Sequence, residues 1–236
     1  METQTRFRCA KTGKVASTET GQSRQDAAAT LIPIRSLAER HREQIINHLL
    51  ELDERDRYLR FGFIASDEHV IQYVEGLDFE RDELFGITNR KLALIAVAHL
   101  AYAPAGSHGK YAEFGVSVAK IARGRGFGAR LFERAAMDAR NNGVALMFIH
   151  ALSENSAMLS IARKAGAVLE RHGSETEAHL RLPPASLNSW MAEIVEEHYA
   201  QLDYWLKAQA RHLRDVFAAF TILHGNWLSG KSCNSR

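Results

Sequence analysis

The sequence predicts a mixed α/β domain, one sheet covered by helices on both faces, followed by a helical extension. Three features carry that expectation. From Leu31 to Leu182 the apolar residues switch repeatedly between strand-like and helix-like periods, so strands and helices interleave. A glycine-rich turn, Arg123-Gly124-Arg125-Gly126-Phe127-Gly128, joins a strand to a helix. Beyond Pro183-Pro184 no proline occurs, and a long stripe at helical spacing replaces the strand signals.

Each element has a local cause. Leu31 to Arg35 reads as an edge strand, because Pro33 lacks an N–H. Ser36, with Glu39 three residues on, fits a capping box for a helix carrying Leu37, Ile45, Ile46, Leu49 and Leu50 and ending near Asp53. Further helices are expected over Arg55 to Ile64 and from Ser66 or Asp67 to Val74. Leu84 to Thr88 and Leu92 to Tyr102 read as strands around an Asn89-Arg90 turn, and Pro104 to Gly109 as a loop. Tyr111 to Ala119 is the next strand, and Phe127 to Asn141 a helix stopped by Asn142-Gly143. Val144 to Leu152 is a strand and Asn155 to Ala165 a helix closed by Gly166. Ala167 to Arg171 and Glu177 to Leu182 form a last hairpin.

The chain has 236 residues, 46% hydrophobic and 25% charged, as ordinary globular domains do. No apolar run approaches the roughly 18 residues of a membrane span. Thirty basic against 28 acidic residues leave a net charge of +2, too weak a field to argue for nucleic acid. Cys9 and Cys233 lie at opposite ends, which indicates a reducing compartment, and a cytoplasmic location is expected. The eleven histidines show no metal-ligand spacing, so no metal is expected. Residues 1–29 are rich in Thr, Ser, Gln and Ala and read as a disordered tail. The domain is then 30–184, with 185–236 as the extension.

The glycine turn carries the chemistry. Strand, glycine-rich turn and helix N-terminus together make an anion site, because successive N–H groups point outward and the helix dipole favours negative charge. Glycines let a phosphate approach the backbone, and Arg123 and Arg125 add cationic donors. Two other readings stay open on the turn alone. It can be a tight connection with glycines for geometry only, and Gly124, Gly126 and Ala129 loosely satisfy a dinucleotide fingerprint.

A second motif narrows these. Arg123, Gly126 and Gly128 fill the [RQ]-x-x-G-x-[GA] loop of the GNAT superfamily of N-acetyltransferases, and the Asn155-led helix through Lys164-Ala165-Gly166 matches that family in type and spacing. Leu31 to Leu182 resembles the family. Within it, Ala112 to Gly166 resembles the acetyltransferase module of bacterial protein-lysine acetyltransferases, and Tyr58-Leu59-Arg60-Phe61 is similar to that module's N-terminal helices. The resemblance implies the acyl-CoA N-acyltransferase fold, a mostly antiparallel sheet with two splayed parallel strands. It also implies acetyl-CoA as co-substrate and an amine, from a small molecule or a protein lysine, as acceptor.

Site roles follow from the same resemblance. Pyrophosphate is expected on the N–H groups of Arg123, Gly124, Arg125, Gly126, Phe127 and Gly128, with pantetheine along Val116, Ser117 and Val118 and beside Asn155. Glu113 is the general-base candidate, its pKa raised in a partly buried cleft. Many relatives carry a tyrosine acid on the Asn-led helix; Ala162 stands at that position here, so the thiolate leaves unassisted or with help from Ser156. His150 reads as a core histidine rather than an acceptor-groove residue. A CoA-binding sensor without turnover is the competing function. The extension's stripe (Trp190, Ile194, Leu202, Trp205, Leu206, Leu213, Val216, Phe217, Phe220, Leu223) must bury on its own domain or in a homodimer.

Overall fold

The structure is a computed structural model that describes residues 32–103, 110–186, 191, 193–209 and 211. The expected tail over 1–29 and the loop Pro104 to Gly109 lie outside the described residues. So do Trp190, Leu213, Val216, Phe217, Phe220 and Leu223 of the apolar stripe.

Strands β1 (Arg35–Ser36), β2 (Glu83–Thr88), β3 (Leu94–Tyr102), β4 (Tyr111–Val118), β5 (Leu146–Leu152), β6 (Val168–His172) and β7 (Glu175–Arg181) form one sheet. Their order is β1-β2-β3-β4-β5-β7-β6. All neighbours are antiparallel except β4 and β5, which run parallel and pair only from Tyr111–Leu146 to Glu113–Phe148. Past Glu113 the two strands part. The mixed sheet with one splayed parallel pair is the fold expected above.

Helices α1 (Arg42–Leu50), α2 (Glu54–Phe61) and α3 (Asp67–Glu75) cover one face. Ile45, Leu49, Val70 and Val74 bury there against Leu84, Leu94 and Val97. Helices α4 (Phe127–Asn141) and α5 (Ser156–Lys164) cover the other. Leu131, Phe132, Ala135 and Ala139 recur at helical spacing and seat α4 on that second core. Phe132 meets Phe114 of β4 edge to face, 5.0 Å between centroids. Burying each of these rings contributes about 1.5–3 kcal/mol. The contact holds α4 against β4.

Helix ends follow side-chain chemistry. Asp53 caps α2 by accepting from Asp56 N–H (2.9 Å), and Gly62 ends it at φ +82°. Ser66 caps α3. Ser36, expected to cap the first helix, instead ends β1, because Arg35 and Ser36 pair with Gly86 and Phe85 of β2. A 3₁₀ turn (Glu39–His41) preceded by Ala38 opens α1 in its place. The edge strand is correspondingly shorter than Leu31 to Arg35 suggested.

The extension is helical over residues 193–209, here α6. It docks through its polar side. Glu193, Glu196 and Glu197 lie 3.6–3.9 Å from the Arg134 guanidinium of α4, which is buried over the Phe85 ring. The described members of the apolar stripe, Ile194, Leu202, Trp205 and Leu206, are exposed, because the buried cation selects the carboxylate face. Among the described residues, no helix is long and apolar enough to cross a membrane.

Candidate active site

The parting of β4 and β5 opens a cleft of about 770 Å³ between α2, the α4 N-terminus, α5 and the β6–β7 hairpin. That volume lies in the range typical of small-ligand sites. Glu113, Val116, Ser117, Val118, Arg123, Gly124, Gly126, Phe127, Gly128 and Asn155 all line it. Arg125 does not; it is exposed, its guanidinium 5.9 Å from the Phe127 ring.

One end of the cleft is a cradle of N–H donors. Gly124 and Gly126 adopt φ +74° and +76°, a left-handed conformation that glycine reaches at little cost. Gly126 is the N-cap of α4 and offers no side-chain cap. Among the described residues, no backbone N–H from 124 to 129 has a protein acceptor. These orphan donors sit at the positive end of a 15-residue helix, the arrangement that binds phosphate. Arg123 is otherwise engaged. Its guanidinium pairs with buried Asp56 of α2 (2.5 Å) and donates to Val118 C=O (3.2 Å), so it ties the loop to α2.

The wall of the cleft is a free strand edge. Ala119 N–H donates to Ile95 C=O, and Ala103 N–H to Tyr111 C=O. With Ala98 opposite Val116, these bonds fix the phase of the β3–β4 ladder. The backbone groups of Glu113, Gly115 and Ser117 therefore serve β3, while those of Phe114, Val116 and Val118 point toward the parted β5. Ser117 is committed by its side chain as well. His48 Nε2 accepts from its hydroxyl (2.9 Å), and His48 Nδ1 donates to Leu94 C=O (3.3 Å). Burial pushes the His48 pKa down to about 4.

Glu113 shares the α1–α3 face of β4 with Gly115 and Ser117. It is exposed, so the partial burial expected of it is absent, and among the described residues it has no hydrogen bond or ion pair. Beside it lies Arg60 of α2, whose guanidinium packs so closely on Gly115 that an added Cβ would come within 2.7 Å. Arg60 donates to Tyr73 OH (2.9 Å), Tyr73 OH donates to His99 Nδ1 (2.8 Å), and His99 Nε2 donates to Asp82 (3.1 Å). Asp82 also accepts from Arg81 and from Tyr102 N–H. This chain holds a cation at the Glu113 end of the cleft. Sequence reasoning matched Arg60 only as part of a motif and missed the chain, because Tyr73, His99 and Asp82 come from three separate stretches of sequence.

Two further residues stand differently from expectation. His150 is no core histidine: it is 54% exposed, lines the cleft, and sits 4.0 Å from Glu177. Strand alternation places it on the α2 side of β5, where the parted strands leave nothing to cover it. Ala162 is wholly buried in the core, whereas Ala157, Met158, Ser160 and Ile161 carry the cleft face of α5. Ser156 does not line the cleft. Asn155 caps α5 by accepting from Met158 N–H (3.1 Å), and its amide donates to Leu59 C=O (3.4 Å).

A splayed parallel pair, an N–H cradle at the next helix and an Asn-capped helix beyond it are the parts on which comparison turns. The sequence profile of the acetyltransferase (GNAT) family matches residues 37–167, more than half of the chain. The chain belongs to the GNAT acetyltransferase family. No curated protein matches the acetyltransferase's sequence significantly. Among solved structures it is similar to the GNAT domain of S. lividans PAT, at 21% identity and TM-score 0.53, covering 63% of this chain and 89% of that one. A GNAT-family acetyltransferase from Streptococcus pneumoniae gives 12% identity, TM-score 0.52, and coverage of 64% and 98%. The ribosomal-protein-alanine N-acetyltransferase from Brucella melitensis gives 17%, 0.51, and coverage of 63% and 99%. At these identities the likeness is one of fold. Membership makes the chain an enzyme of acyl transfer to an amine.

Proposed function

We propose that this acetyltransferase moves the acetyl group of acetyl-CoA directly to an amine, with Glu113 as general base. The observation that carries the reading is the array of unpartnered N–H groups from 124 to 129 opening into the same cleft as the unpaired Glu113 carboxylate. The array suits a diphosphate, and the free edge at Val116 and Val118 suits the amides of a pantetheine arm by strand-like pairing. The thioester then lies where β4 and β5 part, within the span between cradle and Glu113. The acceptor ammonium enters between α2 and the β6–β7 hairpin, lined by Arg60, His150, Glu175 and Glu177. Glu113 takes one proton from the ammonium, the amine attacks the carbonyl carbon, the C–S bond breaks to release CoA thiolate, and the second proton of the attacking nitrogen passes to that thiolate or to water. A thiol pKa near 8.5 lets that group leave without a tyrosine acid. The acceptor is a small-molecule amine or a protein lysine, the second suggested by the likeness to a lysine-acetyltransferase module.

Burial of Ala162 and the lack of a tyrosine on the cleft face of α5 favour a second reading, a CoA-binding sensor with little turnover. Transfer of labelled acetyl from acetyl-CoA to a panel of amines and lysine peptides, by wild type and Glu113→Gln, separates the two. The enzyme reading expects transfer by wild type and a kcat lower by about 10²–10⁴ in the variant, with CoA affinity retained. CoA binding without transfer to any acceptor would establish the sensor.

A further inference from the structure

Helix α6 is inverted relative to an ordinary surface helix, which turns its apolar stripe to the core. Its carboxylates face Arg134, Glu197 also accepts from Ser36 (3.1 Å), Tyr204 lies 3.7 Å beneath the Arg35 guanidinium, and Ala200 is buried. On the opposite side Met191, Ile194, Val195, Leu202, Trp205 and Leu206 are 48–63% exposed, with Tyr199 between them. The stripe runs about 22 Å along the helix. Scattered apolar residues need no explanation, but a continuous aromatic and aliphatic stripe of this kind marks an interface.

We propose that a second copy of this chain covers it, α6 pairing antiparallel with α6 of the other copy about a two-fold axis. The home domain holds the helix by the other face and has nothing left to offer. The sequence outside the described residues offers little to cover it. Residues 1–30 contain only Met1, Phe7 and Val15 as large apolar side chains. A return by the C-terminus needs a turn, and from 192 to 224 there is no Gly, Pro, Asn or Ser. The first turn-forming pair is Gly225-Asn226, and residues 226–236 bring only Trp227 and Leu228. A lipid surface is disfavoured by charge: from 191 to 209 the helix carries Glu193, Glu196, Glu197 and Asp203 against Lys207 alone, where an interfacial helix is rich in Lys and Arg. The stripe is also self-complementary. Antiparallel pairing centred near Tyr199 lays the bulky Trp205–Leu206 end of one copy on the slimmer Met191–Val195 end of the other, large against small.

The full-length protein tests this by light scattering at micromolar concentration, with disulfide trapping as a second readout. Wild type is expected at twice the chain mass. Leu202→Glu with Trp205→Glu, both on the outward face, is expected at the single-chain mass with unchanged far-UV circular dichroism. In a background with Cys9 and Cys233 replaced by Ser, Tyr199→Cys is expected to cross-link between copies and Trp205→Cys is not. A wild type that is a single chain, a double variant that stays dimeric, or a dimer that Tyr199→Cys fails to trap would overturn the proposal. Sedimentation of a monomeric wild type with anionic vesicles would overturn it in favour of a lipid surface.

Discussion

Glu113 of β4 and His48 of α1, which packs on the same face of the sheet, show how differently two polar residues there are used. Glu113 was legible from sequence by its place three residues into a strand that leads to the glycine turn, but its exposure was not, since that depends on where β5 parts from β4. Arg60 was legible only as a motif member, because its position depends on α2 folding over Gly115. His48 gave no sequence signal at all. Its pKa, pushed down to about 4 by burial, makes a definite pH prediction. The unfolded chain binds a proton at this position below about pH 6.5, and the folded chain does not until about pH 4. Stability from His48 is therefore intact above pH 6.5 and declines as pH falls through that window, by at most about 3 kcal/mol. Asp138, whose pKa burial raises, works in the opposite direction over part of the range, so the overall stability curve blends the two. The comparison that isolates His48 is denaturant unfolding of wild type and His48→Gln from pH 4 to 7. Wild type is expected to lose ground to the variant as pH falls; parallel curves would show that His48 titrates normally.

At the scale of the element, α4 is the most informative part of the chain. Its bounds, Phe127 to Asn141, were read correctly from a glycine turn at one end and Asn142-Gly143 at the other, since both signals are local. The first helix start was misread for the opposite reason. Ser36 and Glu39 look like a capping box, yet pairing of Ser36 with β2 takes precedence over the local preference. The N-terminus of α4 also yields a prediction. Gly126 caps the helix at φ +76°, where a Cβ meets no neighbour but is strained by about 1–2 kcal/mol. Gly126→Ala is expected to lower Tm by about 2–8 °C and to weaken CoA binding about tenfold or more, as the N–H cradle opens. Calorimetry of the variant with and without CoA measures both. Unchanged CoA affinity would remove the cradle from the binding account.

For the whole molecule, the mostly antiparallel sheet with its splayed parallel pair was legible through resemblance to a family, whereas the strand order was not, because strand periodicity alone gives no neighbour order. The extension was legible as a helix but not in its orientation. Nothing local announces that Arg134, midway along α4, will be buried and draw three carboxylates onto it. Replacing Arg134 by Met is expected to release α6 from the domain, seen as faster proteolysis within 193–209, while CoA binding persists. Retained protection of α6 would mean that its other contacts, to Ser36 and Arg35, suffice.

The central claim is that one cleft binds CoA by its backbone and presents an amine to Glu113. Amide chemical shifts of the labelled protein, followed on titration with acetyl-CoA, test it most directly. The account predicts saturable shifts centred on the N–H groups of residues 124–129 and of Val116, extending to Glu113 and the start of α5. Saturable binding that leaves residues 124–129 unmoved and shifts amides elsewhere, or no binding at all, would contradict it.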